Sequence, residues 1–137
     1  MRRLWPILAL LFATSCGDAG AQVTASSVKV RWTATGDDGL VGQASGYDLR
    51  YSTSPIDSLN FGQVTRWMTM PMPSAAGETD SVTVAGLAPA TTYYFAIKVV
   101  DEAANWSAIS NVVVATTLRP TTDLVAPFRV TDLRPRP

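Results

Sequence analysis

From residue 22 to residue 117 the apolar positions recur mostly at every second place, the period of a strand with one face buried and one face wet. VKVRW sets Val28, Val30 and Trp32 on one face and Lys29 and Arg31 on the other. ATGDDGLVGQASG, dense in Gly and Asp, is predicted to be a loop, and after it YDLRY alternates Tyr47, Leu49 and Tyr51 against Asp48 and Arg50. STSPIDSLNFG reads as an irregular connection, QVTRWMTM as a short strand, and PMPSAAGETD as a stretch broken by prolines and Gly. DSVTVAGL predicts a strand with Val82 and Val84 inward and Leu87 at its close. TYYFAIKVV places Tyr93, Phe95, Ile97 and Val99 on one face, with Tyr94, Ala96, Lys98 and Val100 opposite. The β-branched NVVVATT predicts a last strand. Strands spaced by roughly 8–12 residues with no helical period between them imply an all-β sandwich or barrel, and the lack of repeats argues against a propeller.

The first 21 residues break this pattern. Met1-Arg2-Arg3 and the run LWPILALLFA give a positive start and an apolar core of about ten residues, too short for a helix to cross ~30 Å of hydrocarbon. Residues 1–21 therefore read as a helical signal peptide. Its end, LLFATSCGD, resembles a bacterial lipoprotein signal, with Ala13, Thr14 and Ser15 leading into Cys16. That resemblance implies cleavage before Cys16, lipidation of its thiol and a membrane anchor. The alternative is ordinary secretion, with Ala19-Gly20-Ala21 as the cleavage site and Gln22 as the new end.

Composition narrows the function classes. At 137 residues, 47% hydrophobic and 16% charged, the chain holds one small domain and appendages. Eleven Lys plus Arg balance eleven Asp plus Glu and no basic stripe occurs, so nucleic acid is not an expected partner. With no His and one Cys, the chain has no His-dependent triad, no internal disulfide and no zinc set of several Cys or His. No cofactor is expected.

Trp32, Tyr47, the segment GLAPATTYYFAIKVVDEAANWSAISN and the ending VVVATT together resemble a fibronectin type III domain of the bacterial kind. The resemblance covers residues 22–117 and implies an immunoglobulin-like sandwich of two antiparallel sheets with Trp32 in the core. It aligns Leu87, Pro89, Thr91, Tyr93 and Phe95 with the family's L-x-P-x-T-x-Y-x-F spacing, and gives Tyr93 the tyrosine whose hydroxyl ties a corner back to the backbone. Trp32, Tyr47, Leu87, Tyr93 and Phe95 are the expected structural core.

In such a sandwich the loops holding Asp37 and Asp38 and holding Asp101 and Glu102 lie at one pole. Four converging carboxylates would suit Ca²⁺, but Asp and Gly serve turn geometry equally well, and no dense ligand spacing is present. The expectation is a solvated pole with no metal. Trp106, with Tyr94 and Trp67, could form an aromatic surface for sugar or protein, although packing of Trp106 over its own loop is the preferred reading. WMTMPMP offers either an adaptable contact surface or filler at the core's edge. Paired loop acids on a small convex domain lack the cleft that glycoside chemistry needs, and the chain is read as non-catalytic.

Residues 118–137 form a linker and an orphan strand. DLVAPFRVTDLRP resembles the strand that opens a domain of this family, whereas only QVTASS separates the leader from Val28, so the first strand is expected to be truncated. The tail either begins a further domain and dangles, folds back on its own domain, or pairs through residues 126–133 with another copy. The whole reads as a binding or spacer module of a cell-envelope or secreted bacterial protein, its partner a protein or carbohydrate. The alternative is an accessory domain of a larger surface or secreted enzyme, such as a carbohydrate hydrolase.

Overall fold

The computed structural model describes residues 10–11, 22–39, 41–122 and 125–136. Cys16 and the Ala19-Gly20-Ala21 stretch, on which the two expected cleavages fall, lie outside the described residues. Among these, seven strands occur: β1 (Leu10–Leu11), β2 (Ser27–Thr33), β3 (Gly46–Ser52), β4 (Thr65–Arg66), β5 (Thr79–Ala85), β6 (Thr92–Val100) and β7 (Val113–Thr116). They form two antiparallel sheets, one ordered β1-β2-β5 and the other β4-β3-β6-β7.

The period-two pattern explains why these segments are strands. β2 alternates buried Val28, Val30 and Trp32 with half-buried neighbours, and β6 turns Tyr93, Phe95, Ile97 and Val99 into the same core. Trp32, Phe95, Leu49, Ile97, Val28, Val30, Val84 and Val99 are the largest fully buried side chains. Each contributes about 1.5–3 kcal/mol through removal from water. Tyr47 and Leu87 belong to this cluster, whose buried members all lie between Val28 and Ala115.

The register sets two poles. At the upper one β2 ends, β3 begins and β6 ends, with Gly46 opposite Val100 and Thr33 opposite Thr79. At the lower one β2 begins and β7 ends, and the Leu118 N–H donates to the Thr24 carbonyl at 2.9 Å. The lower pole is closed by hydroxyls. Ala88 N–H donates to the Tyr93 hydroxyl at 2.9 Å, while Thr117 Oγ1 accepts from Thr91 N–H at 3.0 Å and donates to the Ala88 carbonyl at 2.6 Å.

Between β6 and β7 the chain stays on the β6 edge without forming a regular ladder. Ser107 and Ser110 achieve this in the same way. Their N–H groups donate to the carbonyls of Val99 and Ile97, and their hydroxyl oxygens accept the N–H groups of those same residues.

The segment read as an irregular connection covers the outer face of the second sheet. Phe61, in the 3₁₀ turn Phe61–Gln63, and Ile56 pack against Ala96. The cations of Arg50 and Lys98 lie 5.2 and 4.9 Å from the centre of the Phe61 ring, within reach of its negative face.

One expectation is corrected and one is made narrower. In the segment read as a helical leader, Leu10–Leu11 is extended rather than helical, with Leu10 paired to Trp32 and Leu11 to Arg31. The open edge of β2 supplies the backbone partners that would otherwise come from helical bonds. The strand in QVTRWMTM is confined to Thr65–Arg66. Trp67 N–H still donates to the Leu49 carbonyl, but Pro71 and Pro73 beyond it have no N–H to give.

One polar contact crosses the core. The Tyr47 hydroxyl of the second sheet donates to Asp80 Oδ2 of the first at 2.6 Å, and Asp80 also accepts from the Ser74 N–H at 3.0 Å and the Ser74 hydroxyl at 2.5 Å. Burial, the largest influence on Asp80, works to raise its pKa. The Ser74 and Tyr47 donors together outweigh it and hold the carboxyl below the usual range. Burial, reinforced by the bond to Asp80, pushes the Tyr47 phenol well above its ordinary value.

The signs of these shifts differ. Asp80's contribution is present above the ordinary carboxylate pKa of about 4 and is lost as pH falls through its lowered folded value. Tyr47's contribution is complete below its ordinary pKa of about 10 and is lost as pH rises through the raised folded value. Chemical unfolding across pH should therefore show a shallower acid limb in Asp80→Asn and a shallower alkaline limb in Tyr47→Phe. Tyr47→Phe should cost about 1–3 kcal/mol at neutral pH, because it leaves a buried carboxylate short of a donor. Equal loss at every pH in both variants would contradict this assignment.

Candidate binding pole

The upper pole gathers the loop 34–45, the strip leading into β5 and the loop 101–112. The Ser45 N–H donates to the Val100 carbonyl, and Gln43 bridges Ala75 while its side-chain amide bonds the Pro73 carbonyl. The loops are adjacent, but their acidic residues have different roles.

Asp101 is only 2% exposed and organises its own loop. Its carboxylate accepts from the Ala103 N–H at 2.9 Å and from the Asn105 N–H and side-chain amide, each at 2.8 Å. Glu102, the next residue, is exposed in the turn. Asp37 Oδ1 accepts the Asp38 N–H at 2.9 Å, within a loop also closed from the Gly36 N–H to the Gly39 carbonyl. Gly is required at both ends of that turn. A Cβ on Gly36 would overlap the Val41 carbonyl, and one on Gly42, at φ +83°, would overlap the Asp37 carboxylate. Among the described residues no three acidic or Cys side chains gather closely enough to hold a metal ion.

The aromatic candidates do not share a surface. Trp106 bridges Val100 at the upper pole and is 49% exposed. Tyr94 pairs with Ser52 at the other end of β6, about 20 Å away at the rise of a strand, and packs in the outer cluster with Ile56 and Phe61. Trp67 lies beyond β4, edge-on to Tyr51 at 6.4 Å, with its indole N–H donated to the Thr69 carbonyl at 3.1 Å. Trp32 meets Tyr47 edge-on at 5.0 Å; its buried indole N–H approaches the Tyr47 hydroxyl without hydrogen-bond geometry.

The Met-rich strip divides between the two readings offered for it. Met70 packs against the core, whereas Met68 and Met72 are 78% and 79% exposed. Val41 is 71% exposed on the loop 34–45. The pole thus presents Val41, Met72 and Trp106 from three neighbouring segments, beside carboxylates engaged in turns. Sequence reasoning named Trp106 and the Met-rich strip but passed over Val41, whose only signal was an apolar residue inside a Gly-rich loop.

The profile of the Fibronectin type III domain matches residues 18–116. The chain belongs to that family. Among the curated proteins none matches it. Solved structures share the fibronectin type III fold at low identity. The sensor domain of the anti-sigma factor RsgI4 in Pseudobacteroides cellulosolvens is 20% identical with a TM-score of 0.51, the match covering 94% of this chain and 89% of that one. A fibronectin type III domain from the human KIAA0970 protein is 18% identical with a TM-score of 0.52, covering 95% and 84%. Astrotactin-2, a vertebrate-specific membrane protein, is 19% identical with a TM-score of 0.55, covering 88% of this chain and 23% of that one.

The different roles of the fibronectin type III pole's acids are measurable. Asp101→Ala should destabilise the fold by about 1–3 kcal/mol, because buried donors lose their acceptor, while Glu102→Ala should stay within about 0.5 kcal/mol of the parent. Millimolar Ca²⁺ should leave the melting temperature unchanged in both. A calcium-dependent rise that Asp37→Asn and Asp38→Asn abolish would instead make this pole a cation site.

Proposed function

We propose that the chain is a non-catalytic binding module exported to the cell envelope, with the upper pole as its contact surface. The observation that carries this reading is the allocation of polar and apolar groups. Of the buried polar residues among the described ones, Asp48, Asp80, Asp101, Ser107, Ser110 and Thr117 are engaged through their side chains in hydrogen bonds that hold strands or loops, and the Thr35 hydroxyl is the exception. Val41, Met72 and Trp106 are left exposed on three segments that meet at the upper pole, and aromatic and Met side chains are the types favoured at contact surfaces. A protein or a carbohydrate fits such a surface. Envelope residence rests on the leader, and retention there on acylation of Cys16; a single acyl chain holds a protein only reversibly, so more than one is needed for stable anchoring.

Growth with a labelled fatty acid tests the anchor: the label should enter the parent chain and be absent from Cys16→Ala. An unlabelled parent recovered from the medium with Gln22 at its N-terminus would overturn lipidation and leave secretion. The binding pole is tested in the Cys16→Ala background by sedimentation with isolated envelopes. Retention should be lost in Trp106→Ala without a change in melting beyond about 0.5 kcal/mol. Equal sedimentation of both proteins, or of neither, would remove the pole as the contact surface.

A further inference from the structure

β2 is paired along its whole length with β5 on one side. Its other side is covered in pieces. Val23 bridges Val28, and the Lys29 N–H donates to the Gln22 carbonyl at 2.9 Å. Among the described residues the upper half, at Arg31 and Trp32, is paired by β1 alone. β1 lies inside the leader, so removal of the leader at either cleavage position takes β1 away. The backbone edge beside the core's largest side chain is then open, and such an edge recruits another strand.

The replacement must run as β1 does, antiparallel to β2 from the upper pole to the lower. It must also be apolar opposite Trp32 and Val30, because directly opposed residues share a face. The tail satisfies both. In APFRVT the apolar Phe128 and Val130 alternate with Arg129 and Thr131; these residues lie in no strand, with Phe128 100% and Val130 74% exposed.

Direction decides which copy receives it. β7 runs toward the lower pole, where Leu118 is held at Thr24. From there the tail continues in the same direction into the upper pole of a copy stacked beneath and passes down its β2 without a reversal. To reach its own β2 antiparallel it would have to climb the height of the domain and turn back, through a linker stiffened by Pro120 and Pro127. The nine residues 119–127 span up to roughly 30 Å, which leaves room for a ligand at the pole between stacked copies.

We propose that residues 126–130 of one copy take the place of β1 on the upper half of β2 of a second copy, with Phe128 opposite Trp32, Arg129 opposite Arg31 and Val130 opposite Val30, above the stretch that Gln22 and Val23 already cover. The inference rests on loss of the leader, as read above. Each copy gives a strand at one pole and accepts one at the other. Such contacts add head to tail and make open chains wherever the rotation between copies does not close a ring. The register carries its own signature, because Arg129 facing Arg31 is a like-charge pair that weakens association.

The test uses residues 22–137 produced directly, so that cleavage in the cell plays no part and a failed leader reading shows up in a separate experiment. Sedimentation across a concentration series should show mass rising above the monomer. Val130→Asp should remain monomeric, and Arg129→Glu should associate roughly two- to fivefold more tightly. A monomer at every concentration, association indifferent to Val130→Asp, or weakening by Arg129→Glu overturns the proposal. Should the dilute chain fail to fold, a peptide of residues 122–137 should restore the folded signal while the same peptide carrying Val130→Asp does not; an inert parent peptide is equally fatal to it.

Discussion

Two sheets that share one thin apolar core need something directional between them, because dispersion and burial alone fix separation better than they fix alignment. The bond from the Tyr47 hydroxyl to the Asp80 carboxylate supplies that direction. Asp80 is the register partner of Trp32, and Trp32 meets the Tyr47 ring edge-on, so one contact aligns β2, β3 and β5 at the upper pole. Ser74 completes the carboxylate's shell and thereby fixes where the strip leading into β5 enters that pole. The loops above it inherit their positions from this arrangement.

The sheets were largely legible from the chain because burial of one face imposes a period of two, and β2, β3, β5, β6 and β7 all carry it. What stayed hidden was nonlocal. Asp80 looks like a polar residue at the start of a strand until Ser74 and Tyr47 are brought to it from elsewhere in the chain. Ser107 and Ser110 look like loop residues, yet each replaces a missing rung of β-ladder by offering both a donor and an acceptor to one residue of β6. Phe61, in a stretch with no period, is buried because two cations and Ala96 meet it on the outer face of the sheet.

The acids show the same limit at the candidate pole. Asp37, Asp38, Asp101 and Glu102 are chemically alike in sequence, and turn chemistry accounts for all of them. Burial of a carboxylate is affordable only where several donors converge, and that convergence depends on how the chain turns after it. At Asp101 the next four residues curl back, through Ala104 at φ 63°, to aim the Asn105 N–H and amide at the carboxylate. No spacing rule distinguishes that curl from an open loop, so the burial of Asp101 is decided by the fold of the loop rather than by its residue spacing.

The two ends of the domain are consequently unlike. The lower pole joins Tyr93, Thr91, Ala88 and Thr117 to one another and Leu118 to Thr24, so the chain leaves the domain at a fixed point and in the direction of β7. The upper pole holds its backbone as firmly but leaves apolar side chains outside, and beside it lies the half of β2 that depends on residues 10–11 for a partner. A rigid exit directed along the strands, an alternating tail beyond it and an edge of matching polarity at the opposite pole together favour translation of the domain along its own axis. A closed pair of copies would need the tail to reverse at the point where the structure holds it most tightly.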